Sequence, residues 1–342
     1  MFNYSQIYSN LTKDLNQRQK EVIFRRFGLN NSLKKETLES IGKSYGVTRE
    51  RIRQIEEDAI NKMREKIKGY REVFDYFASQ LKKSGGLKKE EEFLGILGKK
   101  NFYNQISFLL TLDKKFIRIP ETRDYFSFWT RSPDYLTLFQ QVIDFLRDKL
   151  KKDNHPVAFA RLEEYVNSFS KIKKRRITKP QLTSIIEISK EILKNADGLF
   201  GLRDWPEINP RGIRDKAYLV FKKENRPLHF IEVSRLISKP IFGWKAGSVN
   251  YQSVHNELIK DPRFVLVGRG TYGLKEWGYM PGAVKDIILS ILKNSKESLS
   301  KKEIIKEVSK QRLVKENTIL LNLSNKRYFL KTPEGKYTIR EI

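Results

Sequence analysis

The chain has 342 residues, and its 68 Lys and Arg outnumber 41 Asp and Glu to give a formal net charge of +27. An excess of that size calls for a polyanionic partner, nucleic acid ahead of an anionic membrane surface. Cysteine is absent, which removes disulfides, thiolate catalysis and cysteine-ligated zinc together.

Apolar side chains make up 39% of the sequence and aromatics 12%, enough for real cores. At about 100–150 residues per compact unit the length allows two to several domains. No run of about 18 apolar residues exists, so nothing is expected to span a bilayer. Met1-Phe2-Asn3-Tyr4 lacks the basic-then-apolar layout of a signal peptide. The expected location is the cytoplasm, in association with the nucleoid, with no membrane partner.

In chain order, Asn16 opens a helix, with Gln19 three residues on for a capping box. Val22, Ile23 and Phe27 supply its apolar face and Gly28 closes it. A polar loop over residues 30–35 follows. Thr37 then stands where an N-cap is wanted for a short helix, Gly46 fits a turn, and Thr48 caps a second helix. Glu39 and Glu50 fall in the two first turns, where the helix dipole favours negative charge. On the second helix Ile52, Ile55, Ala59 and Met63 recur at helical spacing as a buried stripe. Arg49, Glu50, Arg51, Arg53 and Gln54 are left outside. A short helix, a tight turn and a helix presenting arginine and an amide have the geometry that enters a major groove.

Residues from about 11 to 68 resemble region 4 of bacterial sigma factors. The resemblance rests on Arg25-Arg26-Phe27-Gly28-Leu29, on Thr37-Leu38-Glu39-Ser40-Ile41-Gly42 and on the run Val47 through Glu56. It implies a helix-turn-helix that reads the −35-type element of a promoter, with Arg49, Glu50, Arg51, Arg53 and Gln54 on DNA. Guanidinium pairs bidentately with guanine, Gln with adenine, and Glu accepts from cytosine. Thr37 and Thr48, at helix N-termini, are expected beside phosphates. The resemblance also implies docking on the β flap of RNA polymerase core, with Leu15, Val22, Ile23 and Phe27 as the apolar surface to test; plain core packing is the alternative for these four. Glu57-Asp58 departs from the family pattern, which usually has a small residue and a lysine there.

Beyond residue 70 one grammar repeats: a helix ending in Lys and a polar turn, two more helices, then a hairpin. The first helices end at Leu81-Lys82-Lys83, Leu150-Lys151-Lys152, Phe221-Lys222-Lys223 and Leu292-Lys293. Hairpins are expected to return at Phe126, Phe200, Tyr272 and Tyr337, spaced 74, 72 and 65 residues. A unit near 70 residues is too long for a solenoid repeat and suits a small domain. Three helices closed by a two-stranded wing describe a winged helix. The stretch Arg269 to Trp277 resembles HARE-type winged helices, which occur in the delta subunit of bacterial RNA polymerase and beside some restriction enzymes; that likeness is clearest over residues 210–280. The expected fold is mainly α with small β-hairpin wings. A helix-turn-helix domain (1–69) precedes four tandem winged helices at 70–132, 133–208, 209–280 and 281–342.

A basic run, Lys173, Lys174, Arg175 and Arg176, precedes the third helix of the second repeat and suits a phosphate backbone, with a solvated loop as the equal alternative. Arg118, Arg123, Arg269 and Lys336 fall on hairpins as ordinary surface charge. Trp205 and Trp277 are expected to be packing anchors. His155, His229 and His255 lack metal-ligand spacing, and no P-loop or nuclease-style carboxylate cluster is present. No catalytic residue, metal or cofactor is expected.

The expected function is that of a DNA-binding bacterial transcription protein. It would regulate or assist initiation by RNA polymerase without melting promoter DNA, since nothing resembles the melting region of sigma factors. Two alternatives stay open: a delta-like accessory subunit acting by protein contacts, and the recognition module of a restriction or defence system.

Overall fold

A computed structural model describes residues 2–29, 34–239, 247–295 and 297–340. They form two compact units, Met1–Arg203 and Asp204–Ile342. The protein is mainly helical with small antiparallel sheets. Among the described residues no helix is long and apolar enough to cross a membrane.

The first unit opens with α1 (Tyr4–Thr12), α2 (Gln17–Phe27), α3 (Leu38–Tyr45) and α4 (Arg49–Lys66). Asn16 and Gln19 complete a reciprocal capping box on α2, and Gly28 closes it in the left-handed conformation. The chain continues through α5 (Arg71–Lys83), β1 (Leu87–Lys89), α6 (Glu90–Leu97), α7 (Tyr103–Leu112), β2 (Ile117–Ile119) and β3 (Phe128–Thr130). These strands make an antiparallel sheet in the order β1-β3-β2. Next come α8 (Asp134–Asp153), α9 (Phe159–Lys173), α10 (Lys179–Ile188) and the hairpin β4 (Ile192–Lys194) and β5 (Phe200–Leu202).

The second unit holds α11 (Gly212–Glu224), β6 (Leu228–His229), α12 (Phe230–Ile237), α13 (Tyr251–Lys260), β7 (Phe264–Gly268) and β8 (Thr271–Leu274). It ends with α14 (Val284–Asn294), α15 (Lys301–Gln311), α16 (Glu316–Leu323), β9 (Phe329–Lys331) and β10 (Tyr337–Ile339).

One order therefore runs four times: helix, short extended segment, two helices, hairpin. The extended segment pairs with the returning hairpin strand each time, Leu87 with Thr130, Val157 with Phe200, Leu228 with Tyr272 and Leu299 with Tyr337. Leu87, Val157, Leu228 and Leu299 recur every 70 or 71 residues. This corrects the first expected hairpin return, because Phe128 and not Phe126 enters the strand. The Phe126 amide donates instead to the Ile188 carbonyl at 2.9 Å, and its ring receives Lys89 and Lys190.

The four N-terminal helices and the first repeat share one core. Tyr4, Leu11, Ile23 and Met63 pack in a single cluster with Phe77, Phe93 and Phe108. The Tyr4 hydroxyl donates to the Leu97 carbonyl at 2.7 Å, and burial, followed by Tyr76, pushes that phenol up to about 12. Arg64 Nε donates to the Leu112 carbonyl at 3.0 Å, and Asn104 Nδ2 to that of Gly28 at 2.9 Å. The second repeat joins the first through α10, which lies along β1. Gln181 Nε2 donates to the Gly85 carbonyl at 3.1 Å, and Ser184 Oγ to that of Ser84 at 2.8 Å.

In the second unit each repeat has its own cluster, centred on Phe221, Leu228 and Leu274 and on Ile288, Ile304 and Ile319. Arg312, 5% exposed, ties the two together by donating to the carbonyls of Leu266, Met280 and Gly282. Its pKa is lowered by burial. Trp277 packs against Phe221, with ring centres 6.2 Å apart.

Candidate nucleic-acid interface

The α3–turn–α4 segment is held by its caps and by its tight corner. Thr37 Oγ1 accepts from the Ser40 amide at 3.1 Å, and Thr48 Oγ1 from the Arg51 amide at 3.2 Å. Gly46 has φ +63°, the left-handed turn that glycine adopts freely. Gly42 lets α3 pass under the start of α4, since a Cβ there would lie 2.7 Å from the Val47 carbonyl oxygen. Beneath the corner Val22, Ile41, Ile52 and Ile55 form a small core with Leu38, Tyr45 and Val47.

Polar contacts fix the same corner from outside. Arg25 donates from Nε and Nη2 to the two Glu36 oxygens, both at 2.8 Å, and from Nη1 to Ser44 Oγ at 2.7 Å. The paired guanidinium holds the Glu36 carboxyl below its ordinary range. α2 is thus bolted to both ends of α3.

With Ile52, Ile55, Ala59 and Met63 buried, Arg49, Glu50, Arg51, Arg53 and Gln54 all face solvent. Arg53 is clamped by two carboxylates of its own helix, Glu50 at 2.7 Å and Glu57 at 2.8 Å. The clamp raises the Arg53 pKa, Glu50 first and Glu57 second, and hydrogen bonding from Arg53 lowers that of Glu50. Arg51 Nη1 donates to Gln54 Oε1 at 3.1 Å. Such a face offers two-donor forks and an amide to base edges once the intrahelical contacts are exchanged.

Residues 13–65 match the family model for Sigma-70, region 4. Over 50 residues this region 4 segment is 58% identical to RNA polymerase sigma factor RpoD of Helicobacter pylori, 52% to RNA polymerase sigma factor SigA of a Bacillus species and 50% to RNA polymerase sigma factor RpoS of Coxiella burnetii. In each case the match covers 15% of this chain, and it spans 8%, 13% and 14% of those proteins respectively. The likeness is a likeness of one segment.

The apolar surface expected for polymerase docking is corrected by the fold. Leu15 is 5% exposed, and Val22 and Ile23 are fully buried. Phe27 is half-buried with its ring 5.1 Å from that of Phe108 on α7. Val22 packs against Ile41 and Ile52 of α3 and α4, whereas Leu15 and Ile23 belong to the cluster shared with α7 and Phe27 packs against it, so the fold turns these residues inward.

Elsewhere, Lys173 ends α9, Lys174 is its left-handed cap with φ +49°, and Arg175 and Arg176 continue outward; all four are exposed. Arg175 and Arg176 line a cleft with Lys82 and Arg131. The last two had no signal in the sequence, because they arrive from the preceding repeat and only folding brings them there. On the hairpins Arg118 is bound by Glu90 at 2.6 Å, Arg123 and Arg269 are exposed, and Lys336 is half-buried.

The third helices of the four repeats differ in what they leave open. α7 buries Gln105, Ile106, Phe108 and Leu109, and α10 buries Gln181, Leu182, Ser184 and Ile185. α13 buries only Val254 and Leu258, and α16 only Ile319 and Leu323. The outward faces of α13 and α16 carry Tyr251, Gln252, Asn256, Asn317 and Leu321 in place of arginine.

Proposed function

We propose that this protein is a DNA-binding transcription protein whose region 4 segment reads a −35-type promoter element through α4. The reading holds that the chain regulates or assists initiation by RNA polymerase, with strand melting supplied by another factor. The observation that carries it is the exposed row Arg49, Glu50, Arg51, Arg53 and Gln54 on a capped helix-turn-helix that matches region 4. The net charge of +27 supports a DNA partner over a protein one.

We read the four repeats as winged helices at residues 70–132, 133–208, 209–280 and 281–342. The helix–strand–helix–helix–hairpin order and the pairing of the first strand with the last support that reading. Groove reading in the tail is assigned to α13 and α16, because α7 and α10 spend their faces on neighbouring helices and strands. The low charge of those open faces favours one second reading, an accessory role in which they contact protein.

The deciding experiment compares a −35-type duplex with a scrambled duplex in a binding titration, using the wild-type chain and the Arg49→Ala, Arg53→Ala double variant. The variant should lose roughly ten-fold or more per base contact on the promoter duplex and little on the scrambled one. An unchanged preference would remove α4 as the reader.

A further inference from the structure

The first unit contains a cleft of about 580 Å³ framed by Lys82, Arg131, Arg175 and Arg176, with Tyr135 and Thr178 completing its wall. The cations come from separate stretches of chain: the end of α5, the segment after β3, and the loop leading into α10. Among the described residues no carboxylate lines it. None of the four makes an ion pair among the described residues, whereas nearby cations of the same unit are matched, Lys88 by Glu187, Arg147 by Glu191 and Lys190 by Glu121. Four unmatched like charges repel each other, and the repulsion becomes attraction when an anion enters.

The floor is built rather than incidental. Gly85 and Gly86 turn there with φ +85° and +90°. A Cβ on Gly85 would lie 2.5 Å from Gln181 Cα, and one on Gly86 would lie 2.2 Å from the Tyr135 hydroxyl oxygen. Only glycine lets the end of α5 pass that close to α8 and α10, and the close pass brings Lys82 to the arginines. Three guanidinium forks with one ammonium suit phosphate oxygens, which accept paired donors.

We propose that this cleft binds phosphodiester groups of the DNA backbone, as an anchor on the same unit that carries α4. The proposal rests on the reading of the chain as a DNA-binding protein. A free phosphorylated small molecule offers the same oxygens, so the test separates the two sources.

The full chain is titrated with a scrambled duplex over a range of salt, as wild type and as the Lys82→Ala, Arg131→Ala, Arg175→Ala, Arg176→Ala variant. Each lost phosphate contact lowers the slope of log affinity against log salt by about 0.9, so a fall of about two to four is expected. A control removes four exposed lysines elsewhere, Lys99, Lys114, Lys151 and Lys152, and should lose less than half as much. The four cleft side chains have no ion-pair partner among the described residues, so melting curves of the variant should overlay wild type.

A cleft variant whose slope matches wild type or the control overturns the proposal. Binding of ATP or inorganic phosphate that is lost in the variant while the DNA slope is kept also overturns it, and assigns the cleft to a small molecule. The promoter-to-scrambled ratio reports separately on α4. A lost ratio with the slope effect intact sinks only the promoter reading, and an intact ratio with an unchanged slope sinks only the cleft.

Discussion

Arg53 and Glu50 stand one turn apart on α4 and grip each other in a two-pronged ion pair, Nη2 to Oε1 at 2.7 Å and Nε to Oε2 at 2.9 Å. Glu57 takes the remaining Nη1 at 2.8 Å. The Arg53 fork on α4 is therefore already occupied in the free protein. Exposed ion pairs contribute little to stability, so a base edge or phosphate can displace either carboxylate. Glu57→Gln removes one of the two and a negative charge that faces the same side. The variant should bind a scrambled duplex a few-fold more tightly at low salt, with the gain fading as salt rises. Equal or weaker binding in a fluorescence titration would show that Glu57 does not restrain Arg53.

The corner between α3 and α4 sets a packing prediction. Gly42→Ala places a methyl 2.7 Å from a backbone oxygen, closer than any neighbour there can yield without shifting α4. Overpacking of this kind costs about 1–3 kcal/mol. Denaturant unfolding should show that loss, together with reduced promoter binding, because the displaced element is α4, the helix proposed to read DNA. Gly46→Ala instead meets open space and pays only for its left-handed backbone, about 1–2 kcal/mol. A Gly42 variant as stable as wild type would argue against the close approach.

Much of the helix-turn-helix was legible because its signals are local. Thr37, Gly46 and Thr48 specify caps and turn within a few residues, and the Ile52–Ile55–Ala59–Met63 stripe fixes which side is buried. The hairpins at Phe200, Tyr272 and Tyr337 were legible for the same reason. The strand opening each repeat was missed because it is one to three residues long; Leu87, Val157, Leu228 and Leu299 carry the repeat but look like ordinary apolar residues. The burial of Val22 and Ile23 was undecidable in sequence, since an apolar face looks the same whether α3 and α4, α7 or another protein covers it. The cleft was invisible for a parallel reason, with Lys82 and Arg176 nearly a hundred positions apart.

Acid should weaken the first repeat through Glu90. Burial alone pushes this carboxyl up, but hydrogen bonds from Arg118 and Ser127 outweigh it and hold the group below its ordinary value. A carboxyl lowered in the folded state contributes stability that is present above the unfolded value, about 4.3, and is lost as pH falls through the folded one. Glu90→Gln should thus be less stable than wild type at pH 7, and the gap should close as pH falls through and below the ordinary carboxyl range. Parallel stability–pH curves for the two proteins would show that Glu90 is not held this way.

The shared core of the first unit makes the sharpest claim about folding. Tyr4, Ile7, Leu11, Ile23 and Met63 belong to the N-terminal helices, yet they pack in one cluster with Phe77, Phe93, Phe108 and Leu109 of the first repeat. A fragment of residues 1–69 exposes that apolar side to water, and a chain of that length has little burial to spare. It should show no cooperative unfolding transition, whereas Met1–Arg203 should unfold in a single one. Within the full chain, Phe108→Ala empties a fully buried site beside Phe27 and should cost about 3–5 kcal/mol. Because α7 supports α2 and α4 from beneath, the same substitution should weaken promoter binding although Phe108 lies outside the region 4 segment. Hydrogen exchange gives the test: amides of α2 and α4 should lose protection together with those of α7. Loss confined to the first repeat would mean that the helix-turn-helix stands on its own core.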